Sequence, residues 1–195
     1  MCVSQIPNGP SWDGLFETAA AQEGYFTTSQ AADAGYSPQL LNKHLHGGRI
    51  ERIRRGIYRL VHFPAGEHEE LIVEWLWSDL EGVFSHQTAL ALHGLSDVLP
   101  ASTHLTLPSA WRTRRFRTPA GVVLHHADVS DDERAWFGPV PATSASRSLN
   151  DCARDGLSPE LLRQAAQQTL RRGLARRDEL EPVAKALAPF GGLAA

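Results

Sequence analysis

The stretch that most constrains the fold runs from residue 27 to residue 60, where glycine and proline separate short helical patterns from short strand patterns. A first helix is predicted over Ser29–Ala34, because Thr28 can cap its N-terminus by accepting a backbone N–H. Gly35 follows, and glycine ends helices readily since it adopts the left-handed conformation without steric cost. The pattern therefore predicts a short helix that stops at a tight turn.

A second helix is predicted directly after this turn. Ser37 can cap it, and Pro38 occupies its first turn, where the missing N–H is no loss. Pro38, Leu41 and Leu45 share one face at spacings of three and four, and Gly47-Gly48 ends the helix. The opposite face carries Gln39, Lys43 and His46, with Asn42 and His44 at its flanks. A core-facing leucine pair backed by amide and cationic side chains is typical of a helix that contacts the major groove of DNA.

A basic hairpin is predicted after the second helix. Strand-forming residues around Ile50 and Ile57 flank Arg55-Gly56, which can form a tight turn. Between Lys43 and Arg59 six basic residues stand against one acid, so the local charge is +5 on a chain of net charge −3. Guanidinium groups along a hairpin match phosphates that run beside a groove. The order of helix, turn, helix and basic hairpin predicts a winged helix-turn-helix.

This arrangement predicts a set of DNA-contacting side chains. Asparagine and glutamine suit adenine and lysine suits guanine, whereas the hairpin arginines would grip phosphates or enter the minor groove. The predicted set is Thr28, Ser37, Gln39, Asn42, Lys43, His46, Arg49, Arg52, Arg54, Arg55 and Arg59. A merely solvated hairpin is the alternative for the arginines, and their clustering favours phosphate contact.

Four segments, in this order, resemble the AbiEi-type antitoxins of type IV toxin–antitoxin systems. The segments are GYSPQLLNKHLHGGRIERIRRGIYRL, then FSHQTALALHGL, then HLTLP followed by an arginine-rich turn, and finally PATSASRSLNDCA. They run from about Thr27 to Cys152, and weaker similarity continues through the C-terminal helices. The first segment alone indicates only a winged helix, whereas the order of all four makes the resemblance fairly specific.

The resemblance implies a bacterial, cytoplasmic DNA-binding protein. Its partners would be double-stranded operator DNA of its own operon, with inverted repeats, and a co-encoded nucleotidyltransferase toxin. It would repress its own operon and counteract that toxin. No cofactor, no membrane partner and no catalytic activity are expected.

Composition agrees with a cytoplasmic globular chain. Hydrophobic residues make up 42% of 195 residues, which is enough for a core. No apolar run approaches about eighteen residues, and no basic region followed by an apolar stretch opens the chain, so neither a membrane span nor a secretory signal is expected. Cys2 and Cys152 are the only cysteines, which suits a reducing compartment and argues against a thiolate zinc site.

A linker is predicted at His62–Gly66, where a proline and a glycine interrupt the pattern. The net charge is +1 for residues 1–62 and −4 for residues 63–195. We therefore predict an α+β protein with a winged helix-turn-helix domain at residues 11–62. A mixed α/β domain with a small sheet would follow at residues 67–188.

The second domain is predicted from a mixture of apolar stripes and short apolar runs. Its elements are a helix at 67–80, a strand at Val83-Phe84, a helix capped by Ser85, strands near Leu105 and at 122–124, a strand at Trp136-Phe137, and helices at 144–153, at 158–172 and after Asp178. Between the middle strands lies a second basic surface on a predicted hairpin, formed by Arg112, Arg114, Arg115 and Arg117. This surface is predicted to contact nucleic acid, with solvation alone as the alternative.

Enzyme and metal signatures are weak. The dinucleotide, P-loop and hydrolase motifs are missing, and His68-Glu69-Glu70 lacks the second histidine of a zincin. His125 and His126 are adjacent in a predicted strand, so they point to opposite faces and cannot hold one ion together. No metal site is therefore predicted. A Ser85–His86 catalytic pair is conceivable, but helix capping explains Ser85 more simply.

Three alternatives to the autorepressor remain open on the sequence. The second domain could hold a toxin directly as a protein-interaction module, the chain could be a winged-helix regulator without a toxin, or it could be an enzyme of unrecognised type. A nucleotidyltransferase gene next to this one would support the antitoxin hypothesis, and co-purification of the two products would favour direct binding.

Overall fold

The computed structural model describes residues 9–193. The chain divides into two compact units, a head unit that ends at Leu80 and a C-terminal unit that begins at Glu81. Both units mix helices and strands, so the predicted α+β class is confirmed. Among the described residues, every helix is too short or too polar to cross a membrane.

The head unit contains helices around a small antiparallel sheet. Its elements are α1 (Trp12–Ala20), β1 (Tyr25–Thr27), α2 (Thr28–Asp33), α3 (Pro38–His46), β2 (Ile50–Arg54), β3 (Ile57–Leu60) and α4 (Glu69–Trp77). The strands lie in the order β1-β3-β2, and β2 and β3 form the hairpin, with a register shift between Arg52 and Arg54. Leu15, Phe26, Leu41 and Ile50 pack in its core. Two helices, a turn and a sheet-borne hairpin in this order form the predicted winged helix-turn-helix.

The N-terminus of α2 differs from the prediction by one residue. Thr27, and not Thr28, is the cap: its hydroxyl accepts the Gln30 N–H at 3.1 Å, while the Gln30 side-chain oxygen accepts the Thr27 N–H at 2.9 Å. The two bonds form a reciprocal capping box, which satisfies two otherwise free helix donors. Thr28 instead donates its hydroxyl to the carbonyl of Gly56 in the hairpin turn, at 3.3 Å.

The start of α3 is as predicted. Ser37 accepts the Leu40 N–H, and Pro38 follows it in the first turn. The buried face differs in detail, because Leu41 is buried and Leu40, His44 and Leu45 are partly buried, whereas Pro38 is exposed.

The predicted linker at His62–Gly66 lies inside the head unit. Helix α4, which was predicted to open the second domain, belongs to the head unit, and the Glu69 carboxylate at its N-terminus accepts a bond from Arg59 of β3. The domain limits 11–62 and 67–188 remain a prediction.

The C-terminal unit packs helices on a five-stranded sheet. Its elements are β4 (Val83–Phe84), α5 (His86–Leu92), β5 (Thr103–Leu107), β6 (Val122–His126), β7 (Arg134–Phe137), β8 (Val140–Thr143), α6 (Ala145–Arg154), α7 (Pro159–Arg171) and α8 (Glu181–Leu187). The strand order is β6-β5-β4-β8-β7. Leu90, Leu149, Leu162 and Val183 join the four helices in one core.

Three local predictions for this unit are corrected. Strands β5 and β6 are parallel, with Thr103 opposite Val122 and Leu107 opposite His126, so the arginine-rich segment is a crossover and not a hairpin. Ser85 makes no side-chain cap for α5, because its hydroxyl bonds His86 and Thr106 instead. Helix α8 begins after Leu180 without a side-chain cap, so Asp178 does not have the predicted role.

Candidate nucleic-acid interface

Helix α3 presents its predicted base-contacting side chains to solvent. Gln39, Asn42, Lys43 and His46 are all exposed, while Leu41 is only 2% exposed and fixes the rotation of the helix. His46 Nδ1 lies 2.8 Å from the Asn42 carbonyl oxygen, so this nitrogen donates and Nε2 remains free at the surface. The helix therefore carries amide, ammonium and imidazole groups on its outer face.

This face continues into the hairpin. Pro38, Gln39, Asn42 and Leu45 line one side of an open depression of about 310 Å³, and Arg52 and Tyr58 of the hairpin line the other. The depression therefore places a guanidinium group beside the two amides of α3.

Aromatic packing holds the buried side of α3. The His44 ring stacks on Trp12 with centroids 5.4 Å apart and meets the edge of Tyr36 at 5.5 Å. Burial lowers the pKa of His44, and the charges of Arg49 and Lys43 lower it further, so this imidazole is neutral at neutral pH. Arg49 is exposed, with its guanidinium carbon 5.9 Å from the centroid of the Trp12 ring.

The hairpin arginines fall into two groups. Arg52 and Arg55 are exposed, and Arg54 is half-buried. Arg59 is only 14% exposed: it donates to Glu69 at 3.1 Å and to the Phe63 carbonyl at 3.0 Å, and it lies 3.6 Å from Glu51. Arg59 is therefore committed to interactions within the head unit. This arrangement also occupies Glu51, the one acid of the hairpin.

Ser37 and Thr28, which also belong to the predicted set, form hydrogen bonds with the protein main chain. Ser37 is exposed at the N-terminus of α3, where its hydroxyl accepts the Leu40 N–H. Thr28 is partly exposed and joins α2 to the hairpin turn. Gly56 in that turn has φ +80°, a left-handed conformation that glycine adopts without strain.

The second basic cluster lies in the C-terminal unit. Arg112, Arg114, Arg115 and Arg117 are all exposed, and none of them forms an ion pair within residues 9–193. The Arg114 guanidinium carbon lies 3.9 Å from the centroid of the Trp111 ring, and Arg112 donates to the His126 carbonyl at 3.3 Å. Asp128 accepts two bonds from Ser109 and anchors the start of this segment.

A histidine cluster was missed by the sequence analysis. His86, His104 and His125 each offer one ring nitrogen within 4.8 Å of the other two, a grouping that could hold a metal ion. Burial lowers the pKa of all three and takes that of His86 to about 4. The three rings are therefore neutral at neutral pH. His125 and His126 point to opposite faces of β6, and the partners of His125 in this grouping come from other elements, so adjacency along the strand could not reveal it.

The Ser85–His86 pair is formed but enclosed. Ser85 Oγ lies 2.9 Å from His86 Nδ1, and the Thr106 hydroxyl donates to the same oxygen at 2.7 Å. On the other side of the ring, the Asp155 carboxylate lies 3.4 Å from His86 Nε2. Ser85 is completely buried, so its hydroxyl is not presented to a substrate.

Comparison with known proteins bears on the head unit. Residues 15–61 match the family model described as a transcriptional regulator, AbiEi antitoxin. The predicted resemblance is confirmed over this segment. The description of the matched family is that of a transcriptional regulator and antitoxin, and the match is limited to this segment of the head unit.

The other comparisons add little. A solved structure, the RV2827C protein from Mycobacterium tuberculosis, has a TM-score of 0.46 and 14% sequence identity, covering 95% of this chain and 79% of that one. No curated protein matches the chain.

Proposed function

We propose that the chain is a DNA-binding antitoxin that represses its own operon, and that the head unit binds the operator. The observation that carries the proposal is the exposed polar face of α3, which continues across the depression into Arg52 of the hairpin. A helix of this chemistry next to a basic hairpin suits base contacts in the major groove with phosphate contacts beside them. The family match over residues 15–61 supports the same assignment.

The proposed contacts are a subset of those predicted from the sequence. Gln39, Asn42, Lys43 and His46 would face base edges, and Arg49, Arg52 and Arg55 would contact phosphates. Ser37 would also contact a phosphate of the DNA backbone, because it lies at the N-terminus of α3 and helix N-termini bind phosphate favourably. Arg59 is omitted because its hydrogen bonds are already made within the head unit.

Substitution of Lys43 or Asn42 by alanine tests the base contacts. Each bidentate base contact contributes about 1–3 kcal/mol of discrimination, so the ratio of operator to scrambled-site affinity should fall by roughly 5- to 150-fold. Lys185→Ala, an exposed lysine of α8, is the matched control and should leave the ratio unchanged. An equal loss on both DNAs would place Lys43 and Asn42 on phosphates instead.

The antitoxin part of the proposal rests on the resemblance and on the family match. The test is co-expression with a nucleotidyltransferase encoded next to this gene, scored as rescue of growth. Rescue that persists when Arg52 and Arg55 are replaced, together with co-purification of the two products, would favour neutralisation by direct binding. Operator binding without any rescue would leave a winged-helix regulator that has no toxin partner.

A further inference from the structure

The histidine cluster of the C-terminal unit is built from three different elements. His104 lies on β5 and His125 on the neighbouring parallel strand β6, and His86 is the first residue of α5, two residues after the end of β4. Thr106 is opposite His125 in the register, and alternate residues of a strand share a face, so His104 and His125 lie on the same face of the sheet. His126 lies on the other face.

The backbone at His86 is shaped to bring the third ring to this face. Its φ of +52° is in the left-handed region, which residues with side chains adopt rarely and at some cost in energy. Such strained positions cluster at binding and catalytic sites, where the surrounding structure maintains them. The His86 side chain is 8% exposed and that of His125 is 21% exposed, so the cluster is enclosed but reachable from solvent.

The nitrogens converge at short range. His104 Nδ1 lies 3.0 Å from His125 Nε2, and the His86 and His125 rings are nearly parallel, with centroids 3.6 Å apart. Charge attraction does not hold three neutral imidazoles together. Neutral imidazole nitrogens are, however, preferred ligands for zinc and similar ions.

The surroundings complete the features expected around a metal ligand. A ligating histidine almost always donates its other ring N–H to a nearby acceptor, which fixes the ring and its tautomer. In the tautomer that donates its Nδ1–H to Ser85 Oγ, 2.9 Å away, His86 Nε2 is left for the ion. The Asp155 carboxylate lies 3.4 Å from that Nε2 and 3.9 Å from His125 Nδ1, so it supplies negative charge next to the three neutral rings.

We propose that His86, His104 and His125 form a binding site for one divalent transition-metal ion of the zinc type, with Asp155 as the adjacent anion. Binding replaces the imidazole–imidazole hydrogen bond by nitrogen–metal bonds of about 2.0–2.1 Å. It also turns the His86 and His125 rings out of their parallel stack, because an ion bound to both nitrogens has to lie near both ring planes. Three protein ligands leave a fourth position for water or for Asp155.

The test is titration of the untagged full-length chain, freed of metal by a chelator, with Co²⁺ followed by Zn²⁺ competition. We expect one Co²⁺ per chain with visible ligand-field bands and no thiolate charge-transfer band. The described cysteine, Cys152, is 1% exposed, and burial raises its pKa to about 12, so it does not compete. Failure to bind Co²⁺ or Zn²⁺ saturably would overturn the proposal and leave a hydrogen-bonded histidine network.

Variants locate the ion. His104→Gln and His125→Gln should each weaken Zn²⁺ binding by at least about 100-fold. Ser85→Ala removes the partner that orients the His86 ring and should weaken it by about 10- to 100-fold. His126→Gln is the matched control, since it changes the next residue of the same strand on the opposite face, and it should bind as the unsubstituted chain does. An equal loss in His126→Gln and His125→Gln would also overturn the proposal.

A measurement on the unsubstituted chain covers the case in which a variant fails to fold. Long-range ¹H–¹⁵N spectra of the imidazoles should show three histidines whose ring nitrogen shifts change on addition of one equivalent of Zn²⁺. Changes confined to other histidines, or spread over all of them, would contradict the assignment.

Discussion

The head unit and the C-terminal unit each carry an arginine cluster, and the two are built differently. In the head unit Arg52 and Arg55 stand on a hairpin that is hydrogen-bonded into a sheet, and Arg52 shares a depression with the polar face of α3. In the C-terminal unit Arg112, Arg114, Arg115 and Arg117 lie in a crossover that consists of a short 3-10 helix and extended chain. Both clusters are rich in arginine, and the first adjoins the exposed amide side chains of α3. We therefore expect the cluster of the head unit, which adjoins the exposed polar face of α3, to contribute more to DNA binding than the cluster of the C-terminal unit.

The largest effect is expected when the phosphate contacts proposed for the hairpin of the head unit are removed. Replacing Arg52 and Arg55 with alanine should reduce the slope of log affinity against log salt by about 1.8 units, and affinity by roughly 30-fold near physiological salt. Both operator and scrambled DNA should be affected alike, because phosphates carry no sequence. Arg171→Ala with Arg177→Ala removes the same charge from exposed positions and is the control. An unchanged slope would show that Arg52 and Arg55 of the hairpin do not contact DNA phosphates.

Arg59→Ala tests whether this arginine, unlike the exposed arginines of the hairpin, stabilises the fold. Arg59 bonds Glu69 and the Phe63 carbonyl, so its loss should lower the free energy of unfolding by about 1–2 kcal/mol, allowing for the solvent that screens Glu69. Arg55→Ala, at an exposed position, should change it by less than about 0.5 kcal/mol. The measurement is urea unfolding followed by tryptophan fluorescence. Equal small effects would show that Arg59 is not structural and return it to the DNA-contacting set.

The smallest effect is expected from the second cluster. Arg115 and Arg117 are exposed, whereas Arg114 is stacked on Trp111, so Arg115→Ala with Arg117→Ala removes the two least restrained cations. If this cluster contacts DNA as predicted, the salt slope should fall by about 0.9 units for each phosphate contact that is lost. No change in slope with intact rescue from the toxin would indicate a merely solvated segment. A loss of rescue with an intact slope would assign the cluster to another partner.

Local chemistry made most of the head unit predictable. Ser37-Pro38 and Gly47-Gly48 bound α3 as predicted, and the face of Gln39 and Lys43 follows from helical spacing alone. The cap of α2 was misplaced by one residue, because two adjacent threonines offer the same hydroxyl and only the reciprocal bond with Gln30 distinguishes Thr27. Arg59 turns inward because it bonds Glu69, which lies ten residues further along the chain in α4, so the sequence pattern of the hairpin could not reveal this pair.

The C-terminal unit was less predictable because its features depend on strand pairing. The strands near Leu105 and at 122–124 were placed correctly, but nothing in their sequence distinguishes a parallel crossover from a hairpin. The same pairing brings together His86, His104 and His125, which have no local spacing in common. Each histidine stands within two residues of a predicted strand, and only the strand order connects them.

Operator recognition by α3 is tested by footprinting the chain on the DNA upstream of its own gene, at stated salt. We expect protection of paired inverted half-sites in major grooves, separated by one helical turn or a multiple of it. We also expect Lys43→Ala to lose these discrete footprints while it retains weak binding along the fragment. Two results would contradict the assignment of α3 as the helix that recognises the operator. One is uniform coverage of the DNA by the unsubstituted chain, without discrete footprints. The other is discrete footprints that survive in Lys43→Ala, Asn42→Ala and the double variant.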